Sequence, residues 1–100
     1  MDKIVPKILI IDDEYKILDV IKALLESKGY IAFTAENAAQ AFDILGKEPI
    51  SLVVLDLMLP EISGEEICRK IRKKSTVPII MLTAKVEESD LLVGLGIGAD

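Results

Sequence analysis

The chain has 100 residues, 51% of them apolar, and a net charge of −5, enough for one domain around one modest core. A single cysteine, Cys68, excludes an internal disulfide, and the absence of histidine excludes serine–histidine and cysteine–histidine triads and histidine-based zinc sites. The acidic balance argues against direct nucleic-acid binding by this segment.

The apolar runs are interrupted by Asp12, Asp13 and Asp56 before they reach the roughly 18 residues of a membrane span. The start, MDKIVPKILII, carries no signal-peptide cleavage pattern. A cytoplasmic protein with no membrane contact is expected.

Lys7 to Ile11 (KILII) predicts a first strand, closed by Asp12, Asp13 and Glu14. From Tyr15 to Lys28 the period becomes helical. Ile17, Ile21, Leu24 and Lys28 line up with Leu18 and Leu25 on one face, while Lys16, Asp19, Lys22, Glu26 and Ser27 take the other. Gly29 is the expected stop. Ile31 to Ala35 predicts a weaker second strand. Asn37 is placed to cap a helix running through Ala38, Ala41, Phe42 and Leu45 to Gly46.

Ser51 to Pro60 (SLVVLDLMLP) is a continuous apolar run interrupted only by Asp56, the pattern of a strand buried on both faces of a parallel sheet. An unpaired carboxylate inside such a strand is costly. Asp56 is therefore expected at its C-terminal end, where open α/β sheets bind ligands. Pro60 and Gly64 mark a loop. Gly64 to Lys74 predicts a helix with Ile67, Cys68 and Ile71 inward. Cys68 reads as a small, semi-buried thiol rather than a reactive one. The basic run Arg69, Lys70, Arg72, Lys73, Lys74 reads as a solvated helix end, where cations favour the macrodipole, rather than a partner-binding patch. Val77 to Thr83 predicts a fourth strand. Pro78 should sit at its start or on an unpaired side, because it lacks a donor. Glu87 to Val93 predicts a short helix.

Strand alternating with helix four times predicts βαβ units, right-handed crossovers and a parallel sheet. Such a sheet puts the ends of its strands on one rim, so Asp12, Asp13, Asp56 and Thr83 should meet there. Clustered carboxylates repel one another, and one or more would be forced to hold a proton; a hard divalent cation such as Mg²⁺, which takes oxygen ligands, removes that conflict. One of Asp12 and Asp13 can instead cap the following helix, but a cap does not need both. A carboxylate nucleophile needs no general base at neutral pH. Phosphoryl transfer to Asp56, giving an acyl phosphate, asks mainly for positioning and charge neutralisation. The Thr83 hydroxyl could donate to the phosphoryl group once it is present and so act as a two-position switch.

IIDDE, VVLDLMLPEISG, VPIIMLTA and the closing GLGIGAD resemble, in order and spacing, the receiver domains of bacterial two-component response regulators. The resemblance implies a flavodoxin-like, doubly wound α/β fold with strand order 2-1-3-4. It implies that Asp56 accepts a phosphoryl group from a sensor histidine kinase. It assigns Mg²⁺ to Asp12, Asp13, Asp56 and the backbone carbonyl of Met58, and the switch role to Thr83. It also implies an output domain in the parent chain, a DNA-binding one by similarity to transcription regulators.

Receivers continue into a fifth strand bearing a lysine and a fifth helix. The sequence shows neither, so residues 1–100 read as a C-terminally incomplete receiver domain. Loss of that strand would leave Val77 to Leu82 as an edge open to dimerisation or swapping. Two other functions stay open on the residues alone. One is a phosphorylation-independent or inert fragment. The other is an aspartate-nucleophile Mg²⁺ phosphohydrolase, disfavoured because Met58 stands where a second carboxylate would serve as acid and base.

Overall fold

The computed structural model of the chain describes residues 5–56, 59 and 62–82. The element order is β1 (Lys7–Ile11), α1 (Tyr15–Ser27), β2 (Ile31–Ala35), α2 (Ala38–Lys47), β3 (Leu52–Asp56), α3 (Gly64–Arg72) and β4 (Ile79–Leu82). All pairings are parallel and the sheet order is β2-β1-β3-β4. This is the expected order, and the fold is the expected flavodoxin-like α/β arrangement. The expected helix at Glu87 to Val93 lies outside the described residues, as do Met58 and Thr83.

The strand side chains point alternately to the two faces of the sheet, and both faces are covered. Ile8, Ile10 and Val54 pack with Leu18, Ile21 and Leu25 of α1. Leu9, Ile11, Val53 and Leu55 pack on the other face with Ala41 of α2 and Ile67 and Ile71 of α3. Coverage on both sides is why the central strands lack apolar–polar alternation. Burying each such aliphatic side chain is worth about 1.5–3 kcal/mol, so β1 and β3 form the rigid centre of the molecule.

The helix ends follow local chemistry. The Tyr15 helix stops with Gly29 at φ +91°. The Gly29 amide donates to the Glu26 carbonyl and the Tyr30 amide to the Leu25 carbonyl, which closes the last turn. Asn37 Oδ1 accepts from the Gln40 amide at 2.9 Å, the expected cap. Ser63 Oγ accepts from the Glu66 amide at 3.1 Å and caps α3.

Strand β4 is shorter than expected. The Val77 amide is taken by Ser75 Oγ at 3.0 Å, and Pro78 has no amide to give, though its carbonyl accepts from Val53 at 2.9 Å. The ladder therefore starts at Ile79. Helix α3 ends at Arg72 rather than Lys74. The Arg72 guanidinium donates to the Val77 carbonyl at 2.6 Å, tying the helix end to the lead-in of β4. Among the described residues no helix is long and apolar enough to cross a membrane.

Candidate functional site

Strand register builds the site. Ile11 is level with Leu55, so Asp12 and Asp56 each follow by one residue at the same rim. Asp56 is the last residue of β3, half-buried and level with Leu82 of β4. The Asp12 amide donates to the Ala35 carbonyl of β2 at 3.0 Å, so the backbone stays fixed past the end of β1. Burial falls outward along the pair: Asp12 is 4% exposed, whereas Asp13 is exposed.

Asp12 is also tied to the next helix. Its Oδ1 accepts from the Glu14 amide at 2.9 Å. Glu14 is the N-terminal flanking residue of α1, and its own side chain makes no capping bond. Asp12 therefore supports the turn into α1 as well as facing the other carboxylates. The sequence left open which of the two aspartates does this, and the geometry selects Asp12.

One carboxylate oxygen from each of Asp12, Asp13 and Asp56 lies within 4.8 Å of the others. Burial pushes the Asp12 carboxyl up to about 6, from an ordinary 3.8. The Glu14 amide opposes this, and the charges of Asp56 and Asp13 reinforce it. A buried acid raised by desolvation and further by two adjacent carboxylates is a group whose ionised form a cation would favour. The donor set is all oxygen and two of its members are rim-accessible, which fits a hard divalent ion retaining several waters. These three residues could hold such an ion. The other expected members, Thr83 and the Met58 carbonyl, lie outside the described residues. The capping role of Ser63 was missed, although Ser63 followed by Glu66 is a recognisable helix-start pattern.

Known proteins share the sequence pattern and the fold. Across 94 residues the chain is 49% identical to the regulatory protein VanR of Enterococcus faecium. The match takes in 94% of this chain but only 41% of that protein, so the chain spans less than half of that relative's length. The response regulator protein TrrA of Thermotoga maritima, solved in complex with Mg²⁺-BeF, superposes with a TM-score of 0.74 at 39% identity, covering 90% of this chain and 81% of that one. TrrA in complex with the histidine kinase ThkA also matches at 39% identity and a TM-score of 0.74, over 84% of this chain and 73% of that one. The response regulator receiver domain family matches residues 8–100. With that family matched over nearly the whole chain and the fold shared with solved response regulators, the chain belongs to the response regulator receiver domain family.

Proposed function

We propose that Asp56 is the phosphoacceptor of this receiver domain and that Asp12, Asp13 and Asp56, with the Met58 carbonyl, hold Mg²⁺. The observation that carries the reading is the position of Asp56. It ends a central strand whose middle three residues are buried, and it meets two further carboxylates at the rim. A carboxylate oxygen of Asp56 bonds to the phosphorus of a phosphohistidine. The donor's N–P bond breaks, and the departing imidazole keeps the electron pair and takes a proton from solvent. When bound, the cation supplies positive charge to the carboxylates and the phosphoryl oxygens. The packed β3 backbone holds Asp56 in place, and the bond from Glu14 keeps Asp12 oriented. Thr83 follows Leu82 in sequence and is proposed as the hydroxyl that donates to the new phosphoryl group.

The donor is proposed to be a sensor histidine kinase, a partner class supported by the solved complex of TrrA with ThkA. A DNA-binding output domain in the parent protein and a cytoplasmic location belong to the same proposal. So does association of two copies along β4. That strand pairs only with β3 among the described residues, and Met81 on it is 40% exposed. A monodisperse monomer by light scattering at high concentration would remove the association.

The phosphoacceptor role is tested by incubating the chain with a small acyl-phosphate donor and Mg²⁺ and weighing it. A gain of one phosphoryl group is expected, absent in Asp56→Asn and abolished by a chelator. An adduct that persists in Asp56→Asn would reassign the acceptor. Continuous turnover of phosphate esters would assign a phosphohydrolase instead.

A further inference from the structure

The edge of the sheet opposite the carboxylates holds a second concavity. Helices α2 and α3 lie on the same face, and their C-terminal ends leave a groove of about 790 Å³ between them. That volume is in the range of specific binding sites. Phe42, Leu45, Pro49, Ile50 and Ile71 form its apolar lining. Of these, Phe42, Leu45 and Ile50 are only partly buried and rest on the core cluster beneath. The rim is cationic: Lys70, Lys73 and Lys74 line the groove and are exposed.

Among the described residues these three lysines have no ion-pair partner, whereas Lys7 and Lys47 are paired with Glu48 and Asp43. Glu48, the one acidic residue lining the groove, is bonded by Lys7 at 2.8 Å, which offsets its charge. A chain of net charge −5 thus gathers unpaired positive charge around an apolar hollow.

We propose that this groove docks a short acidic segment of a partner protein, with apolar side chains in the hollow and carboxylates against the lysine rim. The charge pattern selects this occupant. The floor lies at the C-terminal ends of two helices, the negative poles of their dipoles, which disfavours an anion seated deep in the hollow. The cations are exposed lysines spread along the rim, with no arginine among the lining residues to grip a single phosphate with a fork of donors. Carboxylates spaced along a peptide match that spread. One aromatic residue, Phe42, offers no succession of stacking platforms for bases.

The groove and the carboxylate rim are separated by the length of β3, about 17 Å for five residues. A docked segment would therefore leave Asp56 accessible. The inference does not depend on Asp56 being the phosphoacceptor.

The test uses a capped synthetic peptide, Asp-Phe-Glu-Glu-Leu-Glu-Asp, titrated into the isotopically labelled chain and followed by amide NMR shifts. Shifts are expected in residues 42–50 and 70–75, with residues 12–14 unmoved, and binding should weaken with added salt. The triple variant Lys70→Glu, Lys73→Glu, Lys74→Glu, confined to exposed positions, should weaken binding roughly tenfold or more. A peptide with lysine in place of every acid should leave the groove amides unmoved. The proposal is overturned if the acidic peptide moves none of these amides, or if the basic peptide moves them equally. It is also overturned if octyl phosphate or a short oligothymidylate moves them where the acidic peptide does not, which would assign the groove to a small amphiphilic anion or to nucleic acid.

Discussion

Asp12 is pulled in two directions. The Glu14 amide it accepts stabilises its ionised form, while its burial and the neighbouring Asp56 and Asp13 favour the proton, and the proton gains: the carboxyl rises to about 6. In the metal-free chain the folded state therefore binds more protons than the unfolded state between about pH 4 and pH 6. The stability this group contributes is fully present below pH 4 and is lost as pH rises through 6. The loss is at most about 3 kcal/mol, from a rise of about two pKa units. Asp12→Asn keeps an oxygen for the Glu14 amide but has nothing to titrate. Urea unfolding in a chelator at pH 4.5 and pH 7 should show wild type losing more stability than Asp12→Asn across that interval. Equal losses would mean that Asp12 titrates normally. The sequence revealed that Asp12 was acidic and rim-placed. It also indicated that clustered carboxylates force one or more of them to hold a proton, but not which one, because that depends on burial, and Asp12 is buried whereas Asp13 is exposed.

Two glycines show how an element's conformation decides the sign of one substitution. Gly29 has φ +91°, and a Cβ there would meet nothing within 4 Å. Its constraint is conformational rather than steric. Gly29→Ala should cost about 1–2 kcal/mol, since an L-residue is disfavoured at positive φ. Gly46 sits inside α2 with negative φ and open space around its missing Cβ. Gly46→Ala should therefore stabilise the chain, by up to about 1 kcal/mol. Urea midpoints for the two variants should move in opposite directions, and a shared direction would refute the assignment. Both glycines appeared in the sequence as ends of helical patterns, but the sequence could not separate them. Gly29 terminates its helix, whereas α2 runs one residue past Gly46 to Lys47. The end of α3 misled in the opposite sense. Its lysines extended the helical pattern to Lys74, yet the Arg72 bond to the Val77 carbonyl turns the chain toward β4 earlier. Side chain–backbone bonds of this kind carry no periodic signal.

At the scale of the molecule, the topology was legible because each strand is nearly free of polar residues and each intervening helix has one apolar face. Two covered faces and parallel strands were then the arrangement that buried everything. The same logic brought Asp12, Asp13 and Asp56 to one rim, since parallel strands must end together. The groove was not legible. It lies between the C-terminal ends of α2 and α3, and no single segment encodes the space between two helices. The carboxylate rim has a further consequence for the whole fold. Folding gathers three acidic groups whose oxygens lie within 4.8 Å of one another, and the unfolded chain does not hold them together. A cation that binds the gathered set therefore stabilises the folded state alone. At a hundredfold excess over its dissociation constant it adds about 2.7 kcal/mol, which for a domain of about 100 residues corresponds to a rise in Tm of roughly 10 °C or more. Mg²⁺ at neutral pH should raise the Tm, and a chelator should return it to its starting value. Asp13→Asn, which removes an exposed ligand without opening the core, should blunt the rise while leaving the metal-free Tm no lower than in wild type. A Tm that is indifferent to Mg²⁺ in wild type would show that the three carboxylates meet for reasons other than binding a metal.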